Sequence, residues 1–336
     1  MAAAVTAAAA ERAFVVGVDS GGSGLRVALA RAGDGERDGR ILETVTSGEP
    51  VRTGPGGIDA GQLLGRLLPA VDAMAARAGG GAVRAVAVGA AGMATLGDRL
   101  RAELPGALAE AWGVRRLALA ADAVTAYAGA LGQRPGAVVA GGTGLIALGT
   151  DLSGWRRADG WGHLLGDCGS GAWIGRAGLE AAMRAYDGRR GGSAALLARA
   201  EERFGPAAGL PAALYPRTDR PAVLASFAPD VAAAAGDPVA SGILAEAGRQ
   251  IAEAAAAVLP ASPDGSDGEV AFTGGLFRIG KALLGPLRAE LGRMAPGVRE
   301  VPAAGDPLAG AVTIAAALAG GTLRLPEDPR MLQVTR

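Results

Sequence analysis

The sequence predicts an α/β protein built from two related halves, each a mixed sheet flanked by helices. Three observations carry this reading. The stretch FVVGVDSGGSGLRVALA (Phe14 to Ala30) is an apolar run, a glycine-rich bend and a second apolar run, the pattern of a β-hairpin. The same design returns at Gly141 to Leu145, where GGTGL repeats GGSGL with Thr143 standing for Ser23. Between and after these hairpins, strand and helix patterns alternate, and 336 residues are enough for two domains. One such bend is an ordinary tight turn as readily as an anion site. A repeated one, with a hydroxyl at the same place, fits a hairpin folded around a phosphate.

The first half follows from local patterns. Gly21 and Gly22 let the backbone take positive φ and approach a ligand, and Asp19 ends the first strand facing it. Ile41 to Thr46 reads as a third strand, and Ser47 to Gly57 (SGEPVRTGPGG) as a long loop. From Ile58 to Ala78 the apolar residues recur at helical spacing until the glycines at 79–81 stop them. Val83 to Gly89 is a buried strand followed by a small-residue bend. Gly97 to Trp112 is a helix, Arg116 to Ala120 a strand, and Asp122 opens a helix through Leu131. Asp19, Gly89 and Asp122 fall at strand ends, so they are expected at one rim, where ligands collect in such sheets.

The second half restarts after Gly136. A strand near Trp155 precedes GWGHLLGDCGSGAWIG (Gly160 to Gly175), and a helix runs from about Ser170 to Asp187. Residues 188–238 read as an inserted helical region broken by Pro and Gly. A helix from Pro238 to Leu259, a strand from Glu269 to Thr273 ending at Gly274 and Gly275, a helix from Gly280 to Met294, a short strand at Val298 to Val301 and a helix from Asp306 complete the pattern. Glu327 to Arg336 reads as an unpacked tail. The expected domains are 1–133 and 134–336.

Composition narrows the function classes. The 33 basic and 33 acidic residues balance, so neither nucleic acid nor an anionic membrane is an expected partner. Cys168 is the only cysteine, which rules out an internal disulfide or a cysteine-rich metal site within one chain and points to a reducing compartment. No run reaches the roughly 20 apolar residues of a membrane helix, and a cytoplasmic protein is expected. Asn is absent, so no Asn serves in any site.

Three glycine-hydroxyl loops, at Gly21, at Gly141 and at Gly169 to Gly171, suit a polyphosphate. None matches GxxxxGK[ST], and the one lysine, Lys281, lies far from all three. Phosphoryl transfer to a hydroxyl needs a base and a divalent ion. Asp122 is either that base or a helix cap; Asp19 is either an outer partner of Mg²⁺ or a turn residue; Asp167 either binds a sugar hydroxyl or caps the next helix. Trp161 and Trp173 either face a sugar ring or anchor the core. His163 beside Cys168 lacks a third orienting group and reads as packing.

DSGGSG, GGTG, GWGHLLGDCGSGAWIG and FTGG, in this order from about Phe14 to Leu318, resemble the BadF/BadG/BcrA/BcrD-type ATPases, in particular their N-acetylglucosamine kinase branch within the sugar kinase/Hsp70/actin superfamily. The resemblance implies a duplicated ribonuclease-H-like (actin/hexokinase-type) two-domain fold with an interdomain cleft. It implies Mg·ATP-dependent phosphorylation of an amino sugar at the 6-hydroxyl, in a homodimer. By motif position Asp122 would be the base. Ser23 and Thr143, with Gly21, Gly22, Gly24, Gly142 and Gly144, would meet the phosphates, and Ala228, Gly274 and Gly275 would lie along the adenosine. Gly160, Trp161, Gly162 and Asp167 would line the sugar pocket.

Three positions depart from the family pattern: Cys168 where Glu is common, Leu145 where Ser is common, and Glu49 where the sugar-binding Asn is expected. A carboxylate at Glu49 would favour a free amine over an acetamide. The alternatives are a non-catalytic sugar- or nucleotide-sensing protein of the same fold, which Cys168 and Leu145 would suit, and a kinase for a related sugar such as N-acetylmuramic acid. Within the same fold, the iron–sulfur activator ATPases are disfavoured by the single cysteine. The zinc-carrying ROK kinases are disfavoured by the missing Cys/His site.

Overall fold

A computed structural model of the chain describes residues 12–22, 24–33, 39–54, 57–260 and 268–336. The fold is α/β and falls into two compact units. One comprises the chain up to Pro135 with Asp151–Trp155 and Ala303–Arg336; the other comprises Gly136–Thr150 and Arg156–Pro302. The expected division near residue 133 therefore differs at the C-terminal end, because residues from Ala303 onward pack with the first unit.

Each unit is built on the same plan. In the first, β1 (Ala13–Gly21) and β2 (Gly24–Ala32) form an antiparallel hairpin, and β6 (Ala82–Ala90) lies parallel to β1. With β3 (Ile41–Ser47), β7 (Arg116–Ala121) and β13 (Leu332–Thr335) they make a six-stranded sheet in the order β13-β7-β6-β1-β2-β3. In the second, β8 (Gly136–Gly141) and β9 (Leu145–Thr150) form the hairpin and β11 (Glu269–Thr273) lies parallel to β8. There the order is β10-β9-β8-β11-β12, with β10 at Trp155–Asp159 and β12 at Arg299–Glu300. The repeat in the sequence is thus a repeat in strand pairing.

The central strands are buried on both faces, which is why they read as unbroken apolar runs: Val15, Val16, Val18, Val86 and Val88 are wholly inside. The helix Ala60–Arg77 buries Leu63, Leu67, Val71 and Met74 along one stripe, and Asp59 caps it by accepting the Gln62 N–H at 2.9 Å. Ile58, expected in that helix, instead pairs with Thr53 in a two-strand ribbon, β4 (Thr53–Gly54) and β5 (Gly57–Ile58), inside the expected loop. The inserted region forms short helices, Ala194–Phe204, Leu210–Leu214, Arg220–Ser226 and Ala228–Ala233.

The C-terminal segment corrects the sequence reading. Glu327 to Arg336 was expected to be unpacked, yet Leu332–Thr335 pairs antiparallel with Leu117–Ala120, and Leu332 is fully buried. A four-residue strand with polar Gln333 and Thr335 has too short a pattern to stand out, but the edge of β7 gives it a partner.

Glycines set how closely the helices of the first unit meet. A Cβ on Gly310 would lie 1.9 Å from the Thr125 carbonyl oxygen, and one on Gly129 would lie 2.1 Å from that of Asp306. The helices Asp122–Leu131 and Pro307–Gly320 therefore touch backbone to backbone. Gly106, by contrast, sits inside the helix Asp98–Trp112 with open space around it. Gly310→Ala is expected to lower unfolding free energy by ~1–3 kcal/mol through overpacking, while Gly106→Ala should raise it by ~0.5–1 kcal/mol through helix propensity. Urea melts of the two variants check this, and equal effects would contradict the packing.

Candidate functional site

The parallel register of β1, β6 and β7 brings the expected rim together in the first unit. Asp19 lies beside Gly89, Gly89 beside Ala120, and Asp122 follows two residues on. Gly89 is required here, since a Cβ would meet the Thr125 side chain at 2.6 Å. That contact lets the helix opened by Asp122 sit against the strand ends. Asp122 is exposed and occupies the first helical turn, where the dipole favours negative charge. Its Oδ1 accepts the Ala123 N–H at 2.9 Å, while the cap position itself is held by Ala121, without a side-chain bond.

Asp19 is tied down by a residue that sequence reasoning missed. Arg26, its cross-strand neighbour, donates from Nη2 and Nε to Asp19 Oδ2 at 2.6 and 3.1 Å, and from Nη1 to Asp306 Oδ2 at 2.6 Å. Asp306 caps the helix Pro307–Gly320 by accepting the Ala309 N–H at 2.9 Å. Burial works against the Arg26 charge, but the hydrogen bonds to Asp19 and Asp306 outweigh it and raise the guanidinium above its ordinary range. For Asp306, burial pushes upward, and the Ala309 N–H and Arg26 together hold the carboxyl below its usual value. An i to i+7 spacing across a tight hairpin was the available signal for the Asp19–Arg26 pair. Nothing local signalled Asp306.

The first bend differs in detail from expectation. Gly24, not Gly21 or Gly22, takes positive φ (125°), and a Cβ there would lie 2.1 Å from the Ser47 carbonyl oxygen. Gly21 and Gly22 have nothing within 4 Å of a built Cβ, so their backbone borders open space. Ser23 lies outside the described residues. Glu49, just past β3, is 82% exposed and paired with Arg66: Nη2 donates to its carboxylate at 2.7 Å and Nη1 to its backbone oxygen at 2.7 Å.

In the second unit the expected loops do converge. The turn between β8 and β9 presents an exposed Thr143, with the Gly142 N–H bonded to the Gly144 oxygen at 2.8 Å. Gly274, at φ 104°, approaches so closely that a Cβ would lie 2.1 Å from the Gly141 oxygen. Gly275 borders open space. Two expectations fail here. The N–H groups that follow Gly169 are spent within the fold rather than left for an anion: Ser170 donates to Asp167, Gly171 to Gly142, Ala172 to Thr143, and Trp173 to Ser170 Oγ. Ala228 is buried in the core of its own unit, with too little surface to lie along a ligand.

The motif GWGHLLGD forms a tight loop held by Asp159. From the end of β10, its carboxylate accepts the N–H groups of Asp167 at 2.6 Å and Cys168 at 2.8 Å. Asp167, at φ 54°, turns its own carboxylate onto the Gly162 N–H at 3.2 Å and against Gly144, where a Cβ would come within 2.6 Å. It caps no helix, since Ser170 does that. Arg157 donates to the carbonyls of Asp159 and Gly160 at 2.9 and 2.5 Å and stacks 4.1 Å from the Trp161 ring centre, leaving that ring 63% exposed. Gly160, at φ 76°, is needed where a Cβ would strike Ile146 at 2.8 Å. Trp173 packs against the core, and Leu145 is buried in it. Burial, joined by Asp159 and Asp167, pushes the Cys168 thiol up, which suits a packing role rather than a nucleophile.

Burial also pushes the Asp167 carboxyl above its usual range, with Asp159 adding to the shift and the N–H groups of Gly162 and Leu145 opposing it. A raised native value means this group stabilises the fold fully only below the ordinary carboxylate range of about 4, and that contribution is lost as pH rises through the native value. Asn mimics the protonated form and tolerates the left-handed backbone. Asp167→Asn is therefore expected to match wild type in thermal stability near pH 4 and to exceed it at pH 7, by about 1–3 °C in Tm. A loss of stability at pH 7 would contradict this.

Comparisons with known proteins identify the fold and the family. A solved structure from Chromobacterium violaceum, provisionally named an N-acetylglucosamine kinase, is 29% identical and matches with a TM-score of 0.69 over 91% of this chain and 98% of its own. Another from Porphyromonas gingivalis under the same provisional name, 19% identical, shares the fold at TM-score 0.67 over 91% and 99% of the two chains. A ROK hexokinase from Thermus thermophilus, also 19% identical, shares it at 0.53 over 91% and 98%. The fold is thus of the actin/hexokinase type. An N-acetylmuramic acid/N-acetylglucosamine kinase of Clostridium acetobutylicum is 44% identical over 69 residues, and the match spans 20% of this chain and 22% of that protein. The model of the BadF/BadG/BcrA/BcrD ATPase family matches residues 16–315, and the chain belongs to that family.

Proposed function

We propose that the chain is a sugar kinase that transfers the terminal phosphoryl group of ATP to an amino sugar, N-acetylglucosamine or glucosamine, at the 6-hydroxyl. The observation that supports it most is the register that sets an exposed Asp122 on the same sheet rim as Asp19 and the first glycine bend. A base for the hydroxyl and a backbone suited to phosphate then belong to one edge of one sheet.

ATP fits the first glycine bend because Gly21 and Gly22 border open space in which phosphates can meet backbone N–H groups, and in the second unit Gly275 borders open space beside the second bend. Thr143 adds a hydroxyl in the second unit, and Ser23 is the corresponding residue of the first bend. Gly274, pressed onto Gly141, brings the FTGG segment to the second bend as an adenosine-side wall. A Mg²⁺ would come on the nucleotide, with Asp19 contacting its water shell, and the ion would neutralise phosphate charge. Both bonds from Arg26 fall on Asp19 Oδ2, so the guanidinium fixes the carboxylate's orientation through one oxygen.

For the sugar, the exposed face of Trp161 offers a platform for a ring, and Asp167 and Gly162 supply polar groups beside it. Glu49 is matched in charge by Arg66, which tempers the attraction for a free amine that an isolated carboxylate would exert.

Two measurements test the reading. In a coupled ADP-release assay over amino sugars, Asp122→Ala should lose ~10²–10⁴-fold in kcat while ATP binding by calorimetry stays within a few-fold of wild type. Turnover near the wild-type rate would overturn the base assignment. Arg66→Ala, which releases the Glu49 carboxylate, should raise kcat/KM for glucosamine relative to N-acetylglucosamine several-fold, and an unchanged ratio would remove Glu49 from the specificity argument.

A further inference from the structure

We propose that a cavity on the far side of the GWGHLLGD loop, entirely within the second unit, is a binding site for an amphipathic anion: a compact apolar body carrying one carboxylate, sulfonate or phosphate. It encloses about 820 Å³, the size of a small-molecule site. Trp173, Leu179 and Met183 of the helix Gly171–Tyr186 form one wall, and Leu210, Leu214 and Leu224 of the inserted helical region form the other. At the mouth, Leu164, Leu165 and Tyr215 are 82, 86 and 75% exposed. Large apolar side chains gathered at a concavity, with so little protein over them, mark a ligand site.

Charge selects the ligand. Arg176 and Arg220 line the cavity with exposed side chains, and neither guanidinium makes a side-chain hydrogen bond or close ion pair with another described residue. Of the nearby carboxylates, Glu180, also in the lining, accepts from Arg184 at 2.8 Å and interacts with Arg176 only through space, and Asp219 accepts from Arg217 at 2.6 Å. The lining thus presents two guanidinium groups beside an apolar interior, which suits one anionic head and an apolar tail.

The cavity also shares a wall with the candidate sugar loop. His163, Leu164, Leu165, Gly166 and Cys168 line it, and Asp167 between them faces Gly144 and Gly162 on the other side. The anion is either a substituent of the phosphorylated sugar or a separate molecule, and both present the same chemistry to the cavity.

The test uses the full-length protein with 8-anilinonaphthalene-1-sulfonate as fluorescent probe and sodium decanoate as competitor. Expected is saturable binding of one probe per chain, displaced by decanoate but not by decanol. Arg176→Ala/Arg220→Ala should weaken both ligands at least 10-fold. Leu164→Ser/Leu165→Ser should also weaken both, and all four substitutions fall on exposed side chains. Decanoate should raise the Tm of wild type and not that of either variant, which separates site binding from dye uptake by loosened protein. Binding that survives both double variants, or decanol competing as well as decanoate, overturns the proposal. These arms do not depend on kinase activity. Where activity is present, a rise in sugar KM with decanoate identifies a subsite continuous with the sugar, and an unchanged KM identifies a separate ligand.

Discussion

The bridge Asp19–Arg26–Asp306 is the interaction on which the first unit's functional edge depends. It joins the end of one strand and the start of the next to the cap of the last helix, which lies 280 residues further along the chain than Arg26. Each ion pair is partly exposed and is worth about 1 kcal/mol or less. Its importance is geometric, because two guanidinium N–H groups converging on Oδ2 fix where the Asp19 carboxylate points. Gly129 and Gly310 let the last helix, which Asp306 caps, press against the one opened by Asp122. Backbone contact between two helices thus sets both the Asp306 cap and the Asp122 carboxylate on one structural base. The C-terminal part of the chain belongs to the first bend physically, though it follows everything else in sequence.

The second unit uses a related device. Asp159, at the end of β10, gathers two backbone N–H groups of the GWGHLLGD loop, and Arg157 ties the same turn through two carbonyls while stacking on Trp161. Both residues precede the motif, and together they hold Trp161 outward and Asp167 inward. The cost appears as electrostatic tension: Asp167 is half-buried beside another carboxylate, and its ionised form is disfavoured. A site that keeps such a group has exchanged stability for a polar contact at that place.

Much of the fold was legible because the governing patterns are local. The duplicated hairpin, the apolar runs of β1 and β6 and the leucine stripe of the helix Ala60–Arg77 all express burial directly. The rim of Asp19, Gly89 and Asp122 followed from strand ends alone and is present in the pairing register. Long-range partnership was not legible. Neither Arg26–Asp306 nor the pairing of Leu332–Thr335 with β7 leaves a periodic signal. The glycines misled where sequence shows conformational freedom but not which residue uses it: Gly24 takes the positive φ, and the N–H groups after Gly169 are spent on the neighbouring turn. The adenosine role of Ala228, inferred from a resemblance of short motifs, meets a side chain inside the core.

The family places this chain among ATPases, and its own geometry adds the exposed Asp122 at the rim that carries a glycine bend. The most direct test is a crystal structure with N-acetylglucosamine or glucosamine and a non-hydrolysable ATP analogue. The account predicts an Asp122 carboxylate oxygen about 2.6–3.2 Å from the sugar's 6-hydroxyl, with phosphate oxygens on backbone N–H groups of a glycine bend. A sugar bound away from Asp122, or a nucleotide contacting neither bend, would contradict it.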